Sequence, residues 1–285
     1  MVDWSAQATP KLRADSIWSY ELDTAAATPT PTPPANHRTR AEAATHLHER
    51  LQLLAGRRVL LGFDFAFGYP AGFAQLAGLT GVPWQATWQH LADSITDDHQ
   101  NRNNRWTVAA DLNDRLGTNH LWGVPKARAT NTLTATKPRT FTLAQFRHSE
   151  LHLHSTGRRP FSIWQLLGAG AVGSQSLMGI PVLHRLRHAP DLAERTRIWP
   201  FETGLVANPW PAGDSIVIAE VWPGTLEATA IDSVDHCIKD ARQIVALAEH
   251  FASAGTDALS AAFAPALDPA TAALVVAEEG WVLLP

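Results

Sequence analysis

Four carboxylates lie within or beside apolar segments of this sequence, where an unpaired charge is costly to bury. They are Asp3 in the run 2–4, Asp64 in the run 60–65, Glu220 in the run 216–221, and Asp240 at the start of an apolar helical stretch over 240–248. Burying a lone carboxylate costs several kcal/mol unless a cation or hydrogen bonds compensate. Four such cases, distant in sequence, indicate a shared cation, and Mg²⁺ or Mn²⁺ with oxygen ligands is the natural candidate.

These acids predict a two-metal phosphodiesterase site. Such a site needs three or four carboxylates around two ions about 3.5–4 Å apart, one activating the attacking water and the other stabilising the leaving oxygen. We expect Asp3 and Asp64 to hold both ions, with Glu220 and Asp240 on the outer sides.

Each acid also has an ordinary structural explanation. Asp3 could accept hydrogen bonds in a turn, and Asp64 could form an Asx-turn before Gly68. Glu220 could be a salt-bridged strand residue, and Asp240 could cap a helix. The four acids together, in the order of elements described below, favour the metal site.

Three cationic residues could stabilise negative charge in the transition state of such a reaction: Lys11, Arg105 and Arg147. Arg105 follows Asn103 and Asn104, and residues of these types bind phosphates or bases. A solvated loop would use the same residue types, so the sequence leaves both interpretations open.

Two further patterns favour a structural role. Residues 168–173 match G-x-G-x-x-G, but Gly179 and Pro181 interrupt the helix that a dinucleotide site requires. We therefore predict close packing or a tight turn there and reject an NAD site. The alternating His and Glu residues of 148–154 would share one face of a strand, but the sequence before them favours a surface helix.

The elements that must position these residues follow from apolar periodicity and turn residues. We predict strands over 1–6 and 16–22, a loop or weak edge strand over 28–34, a helix over 40–55, a strand over 57–65, helices over 84–95, 142–153 and 162–188, a strand over 215–222, a helix over 235–254, and a helix with a final strand over 269–285.

This order predicts an α/β protein with a ribonuclease H-like mixed sheet flanked by helices. Residues 1–70 and 206–285 would form the core, and residues 71–205 a large, mostly helical insertion that contributes to the site. In that fold the first strand and the strand after the first helix are neighbours, which would bring Asp3 close to Asp64.

Composition sets the remaining bounds. The 285 residues carry a formal net charge of −4, so no strong global field attracts nucleic acid. The single cysteine excludes a disulfide framework and a cysteine-based zinc site. No window approaches the roughly 18 apolar residues of a membrane helix, and we see no signal peptide, so we expect a cytoplasmic protein without membrane contact.

Several motifs resemble a bacterial family of unknown function, over nearly the whole chain. They are Asp3-Trp4-Ser5, Gly62-Phe63-Asp64-Phe65-x-Phe67-Gly68-Tyr69-Pro70, Asn103-Asn104-Arg105, the stretch 164–175, Trp199-Pro200-Phe201-Glu202-Thr203-Gly204 and Glu220-Val221-Trp222-Pro223. Members of that family often carry names from cobalamin or molybdopterin-guanine-dinucleotide biosynthesis.

That family in turn resembles predicted ribonuclease H-like nucleases, whose acidic positions match Asp3, Asp64, Glu220 and Asp240. The broader group often has a second carboxylate after its Glu-Val-x-Pro motif, whereas Gly224 follows Pro223 here. The resemblance implies a hydrolase that uses Mg²⁺ or Mn²⁺.

We therefore expect a divalent-metal-dependent phosphodiester hydrolase whose substrate is a small nucleotide, a nucleic-acid end or a single strand. One alternative is a non-catalytic nucleotide- or cofactor-binding protein with one cation. Another is a phosphoryl transferase of the actin-like ATPase type, suggested by Ser5 and Lys11 after Asp3, although the second such half-domain is missing from the sequence.

Overall fold

A six-stranded mixed sheet forms the centre of the part of the chain that the structure describes. The structure is a computed structural model and describes residues 1–24, 32–168, 170–211 and 213–284. The strands are β1 Val2–Asp3, β2 Ile17–Ser19, β3 Ala35–His37, β4 Arg58–Phe63, β5 Thr196–Ile198 and β6 Ser215–Glu220. Their order across the sheet is β3-β2-β1-β4-β6-β5. The first three strands are antiparallel, and β1, β4, β6 and β5 are parallel to one another.

Helices cover both faces of this sheet. They are α1 Arg40–Leu53, α2 Phe73–Leu76, α3 Pro83–Ser94, α4 Arg105–Leu116, α5 His148–Ser155, α6 Val172–His188, α7 Ala228–Asp232, α8 Lys239–Ser253, α9 Gly255–Phe263 and α10 Pro269–Leu274, which continues as a π-helical turn Val275–Glu279. Within the described ranges, no helix has the length and apolarity needed to cross a bilayer.

The two faces of the sheet pack against different sets of helices because side chains alternate along a strand. Ile216 and Ile218 lie in the main core, which also contains residues of α1, α3, α4 and α6. Val217 and Ala219 point the other way, into a second core with α8 and α9. Helix α8 also packs against β1 and β2.

Most predicted elements with strong apolar periodicity are confirmed. These are the N-terminal strand pair, the helices at 40–55, 84–95 and 235–254, and the strands at 57–65 and 215–222. The predicted loop or edge strand over 28–34 lies partly outside the described residues, and the third strand begins at Ala35.

Two predicted helices begin later than expected. The helix expected over 142–153 begins at His148, which confirms the helical interpretation of the His-rich stretch. The helix expected over 162–188 begins at Val172, because Gly168 and Gly170 before it have left-handed φ values of 95° and 74°.

The segment 71–205 contains helices α2 to α6, and it also supplies the edge strand β5. Its helices contribute to the same main core as β4 and β6. The division of the chain into a core and an insertion stays a prediction. A mixed α/β fold with helices on both faces of one sheet is what the structure shows.

Candidate functional site

A cavity of about 610 Å³ lies at the carboxyl ends of three neighbouring parallel strands, β1, β4 and β6. Ligands of open α/β sheets commonly bind at this end of the strands. All four predicted acids line the cavity, and so do Arg105 and Arg147. The sheet therefore brings residues from distant parts of the sequence to one place.

Asp3 and Asp64 form the centre of this site. Val2 of β1 pairs with Phe63 of the parallel strand β4, so the residues that follow them, Asp3 and Asp64, lie side by side. The two carboxyl groups are hydrogen-bonded to each other, and the backbone N–H of Trp4 donates to Asp64 Oδ1 at 2.8 Å. The predicted proximity of the two acids is confirmed.

Burial raises the pKa of both carboxyl groups. Burial, reinforced by the neighbouring Asp64, raises the pKa of Asp3 well above its ordinary value. Burial also raises the pKa of Asp64 to about 6, although hydrogen bonds from Asp3 and from the Trp4 N–H act in the opposite direction. Asp3 and Asp64 are therefore two neighbouring acids that both bind protons more tightly than an exposed carboxyl group does.

Asp240 lies near this pair, but among the described residues no hydrogen bond joins it to Asp3 or Asp64. It is in the first turn of α8, and its Oδ2 accepts a hydrogen bond from the backbone N–H of Asp15 at 2.7 Å. Its charge raises the pKa of both Asp3 and Asp64, which places it within electrostatic range. Burial in turn raises the pKa of Asp240.

Lys11 lies at the edge of the site. Its Nζ is 2.9 Å from Asp15 Oδ2; the Asp15 side chain is largely exposed and that of Lys11 is partly exposed. Lys11 influences the site through its charge, which lowers the pKa of Asp240. Its predicted role in the transition state stays a prediction.

Glu220 points away from the acid pair, because it pairs with Phe63 and not with Asp64. Side chains that pair across a sheet share a face, and the next residue points to the other face. Glu220 Oε1 and Oε2 accept hydrogen bonds from Arg147 at 2.6 and 2.8 Å, and Oε2 also accepts one from the Phe67 N–H at 3.0 Å. This arrangement favours the salt-bridged interpretation of Glu220, and its role as a metal ligand stays a prediction.

Arg147 is fully buried between two carboxylates. Besides Glu220 it contacts Glu150, to which its Nε donates at 3.0 Å and its Nη2 donates through a shorter hydrogen bond. We call Glu150, Arg147 and Glu220 the ion triad. Because its guanidinium charge is already shared by two acids, Arg147 is poorly suited to stabilise a further negative charge.

Sequence reasoning did not identify Glu150 or Arg40 as parts of this region. Glu150 stands three residues after Arg147, a spacing at which helical residues meet. Arg40 is buried, and its Nη1 donates to the carbonyl oxygens of Ser5 and Gln7 at 3.1 and 2.7 Å. It thereby fixes a loop that lines the cavity, a contact for which the sequence has no signal.

No group of three or more His, Cys, Asp or Glu side chains in the described ranges is arranged to hold a metal ion by itself. The acids in direct contact at the cavity are two, Asp3 and Asp64. The expectation of two ions therefore stays a prediction.

No protein-family model matches this chain, and comparisons with curated proteins and with solved structures find no significant match either.

Proposed function

We propose that this protein is a divalent-metal-dependent phosphodiester hydrolase that acts on a small nucleotide or on a nucleic-acid end. The observation that carries the proposal is the contact between the Asp3 and Asp64 carboxyl groups at the carboxyl ends of adjacent parallel strands. Two carboxyl groups in contact at a cavity form a site that a cation can occupy when both are ionised.

A ribonuclease H-like fold is part of this proposal. Its support is the sheet order, in which the antiparallel strands β3, β2 and β1 are followed by the parallel strands β4 and β6. Helix α1 connects β3 to β4, as the order of elements in the sequence predicts. The edge strand β5 is an addition to that order.

The residues present fit Mg²⁺ or Mn²⁺. Mg²⁺ is commonly bound by one or two carboxylates, with water and substrate phosphate oxygens completing its coordination. Asp3 and Asp64 supply the two carboxylates, and Asp240 adds negative charge nearby. When bound, such an ion would activate water and stabilise the charge of the leaving oxygen.

The chain itself orients these groups. The Trp4 N–H fixes Asp64, and Gln175 Nε2 donates to the Trp4 carbonyl oxygen at 2.6 Å, which ties this loop to α6. Arg105 lines the same cavity and can attract the phosphate group of a substrate. Asp3 must be ionised to hold a cation.

The test is cleavage of labelled single-stranded and cyclic nucleotide substrates with Mn²⁺ or Mg²⁺, compared among wild type, Asp3→Asn and Asp64→Asn. Asp191→Asn is a matched control, because Asp191 is an exposed acid outside the cavity. We expect both site variants to lose at least about 100-fold in rate and the control to keep full activity. Cleavage that survives Asp3→Asn unchanged would show that the assigned chemistry is wrong.

Because two acids are in contact at the cavity, one alternative function also fits the site. A nucleotide-binding protein with a single structural cation also needs only two carboxylates. Calorimetric binding of Mn²⁺ and nucleotide without turnover would support that alternative. Hydrolysis of ATP, but of no other nucleotide, would instead favour the phosphoryl-transfer alternative.

A further inference from the structure

The cavity has an apolar wall as well as an acidic floor. Phe161 and Leu167 line it, although 48% and 45% of their surfaces are exposed. A Cβ atom placed on Gly170 would lie 2.1 Å from Phe161 Cγ, so the ring packs directly on the backbone there. Exposed apolar side chains at the wall of a polar cavity can pack against the apolar part of a ligand.

The same cavity contains a cation with no acidic partner among the described residues. Arg105 is only 8% exposed, and its Nε is buried without a hydrogen-bond partner. Its Nη1 donates to Asn103 Oδ1 at 2.9 Å, and its guanidinium lies 4.2 Å from the centre of the Trp106 ring. Neither contact neutralises its charge.

Asp97, the acid whose charge acts on Arg105, is already paired with another arginine. Asp97 receives two hydrogen bonds from Arg40, at 2.5 and 2.7 Å. Burial lowers the pKa of Arg105 to about 10, and the neighbouring Arg40 adds to this effect. Arg105 nevertheless stays protonated at neutral pH, so it presents a positive charge without an ion-pair partner to the cavity, and that charge suits an anionic group.

We propose that the cavity binds one nucleotide unit, with its phosphate at Arg105 and its base against Phe161 and Leu167. This inference rests on the proposed function, whose acid pair faces the same cavity. The volume of about 610 Å³ lies within the range of roughly 300–1,000 Å³ of small-molecule sites. Aromatic side chains stack on any base, so the apolar wall recognises a nucleobase as a class.

The test measures binding by calorimetry of AMP, ribose 5-phosphate and adenosine, with EDTA present. Phe161→Ala is expected to weaken AMP binding about 5- to 150-fold, the loss of roughly 1–3 kcal/mol of base stacking, and to leave ribose 5-phosphate binding unchanged. Arg105→Gln is expected to weaken binding of AMP and ribose 5-phosphate about 10-fold or more and to leave adenosine binding unchanged.

Leu53→Ala is the matched control, because Leu53 is an exposed apolar residue of α1, away from the cavity. It should change none of the three affinities. A ten-nucleotide single strand distinguishes the source of the unit: tighter binding than AMP, with the same response to Phe161→Ala, identifies a strand end, and equal or weaker binding identifies a free nucleotide.

The inference is overturned if AMP binds no better than ribose 5-phosphate, if Phe161→Ala weakens both equally, or if AMP does not bind. Phe161→Ala changes an exposed side chain, so this result does not depend on whether Arg105→Gln folds. Because EDTA removes divalent ions, the binding result is separate from metal-dependent cleavage. Nucleotide binding without any cleavage would count against the proposed function alone.

Discussion

The raised pKa values of Asp3 and Asp64 link the chemistry of the site to the stability of the protein. Both pKa values are raised above the unfolded value of 3.8, that of Asp64 to about 6. Between pH 4 and 6 the folded state therefore binds more protons than the unfolded state, and stability falls as the pH rises. Above about pH 6 Asp64 is ionised, and the free energy needed to bury its charge then lowers the stability in full.

Asp3→Asn should therefore stabilise the protein at pH 8 while it abolishes metal-dependent cleavage. We expect the free energy of unfolding in EDTA to rise by about 1–3 kcal/mol at pH 8, and by much less at pH 4. Urea unfolding at the two pH values measures this difference. A variant that is less stable than wild type at pH 8 would show that the charge of the buried pair does not lower the free energy of unfolding.

The ion triad predicts the opposite effect. Arg147→Met should lower the free energy of unfolding by about 3–5 kcal/mol, because Glu150 and Glu220 would face each other in the interior without a cation. Lys11→Met is the control, since its exposed pair with Asp15 is expected to contribute less than about 1 kcal/mol.

Thermal and urea unfolding of these two variants measure the difference. Equal stability of Arg147→Met and Lys11→Met would mean that the triad does not hold this region together. Any loss of activity in Arg147→Met would then need a direct role in the reaction, as the sequence predicts.

At the scale of elements, strand register explains why one acid pair was predictable and Glu220 was not. Apolar runs of the sequence identify β1, β4 and β6, and the order of elements makes β1 and β4 neighbours. The sequence has no signal for the register of β4 against β6. A pairing of Asp64 with Glu220 instead of Phe63 with Glu220 would have placed Asp3, Asp64 and Glu220 on one face.

Glycines show a second limit of sequence reasoning. The G-x-G-x-x-G stretch predicts close packing, and Gly173 confirms it, since a Cβ atom there would lie 2.0 Å from the Ile163 carbonyl oxygen. The sequence does not reveal which segment makes the close approach. Gly68, in the stretch after β4, is a comparable case, because its partner comes from the far end of the chain.

Gly68→Ala should destabilise the protein by about 3 kcal/mol, at the upper end of overpacking costs. Its Cβ would lie 2.0 Å from the Glu278 carbonyl oxygen, and backbone atoms cannot move aside as a flexible side chain can. The displaced segment also holds α2, because Glu278 accepts hydrogen bonds from the N–H groups of Gly72 and Ala74.

Hydrogen exchange measures this effect: protection should fall over 71–76 and 275–284. Gly78→Ala is the control, because its Cβ would meet no atom within 4 Å and only its φ of 69° is unfavourable, at about 1–2 kcal/mol. Equal exchange in the two variants would mean that the contact between Gly68 and Glu278 does not hold the chain end.

At the scale of the whole molecule, the sequence predicts the α/β class and its principal strands, since these depend on local apolar patterns. It does not predict that segment 71–205 adds a strand to the sheet, because β5 has only three residues and depends on β6 for its hydrogen bonds. The positions of Arg105 and Phe161 at one cavity likewise depend on packing between distant segments.

Charge and cavity size together predict which substrates the whole molecule accepts. A net charge of −4 gives no general attraction for polynucleotides, and the cavity of about 610 Å³ has the size of a small-molecule site. We expect a dinucleotide to be cleaved at least about 10-fold faster than a 30-base-pair duplex at equal phosphodiester concentration. Faster cleavage of the duplex would contradict a site of this size.

The central claim is that Asp3 and Asp64 together hold a divalent cation. The most direct test is a crystal structure of the protein soaked with Mn²⁺, recorded at a wavelength where manganese scatters anomalously. We predict an anomalous peak about 2.0–2.6 Å from a carboxylate oxygen of each residue. Ordered water between these two side chains, with manganese bound elsewhere or not at all, would contradict the claim.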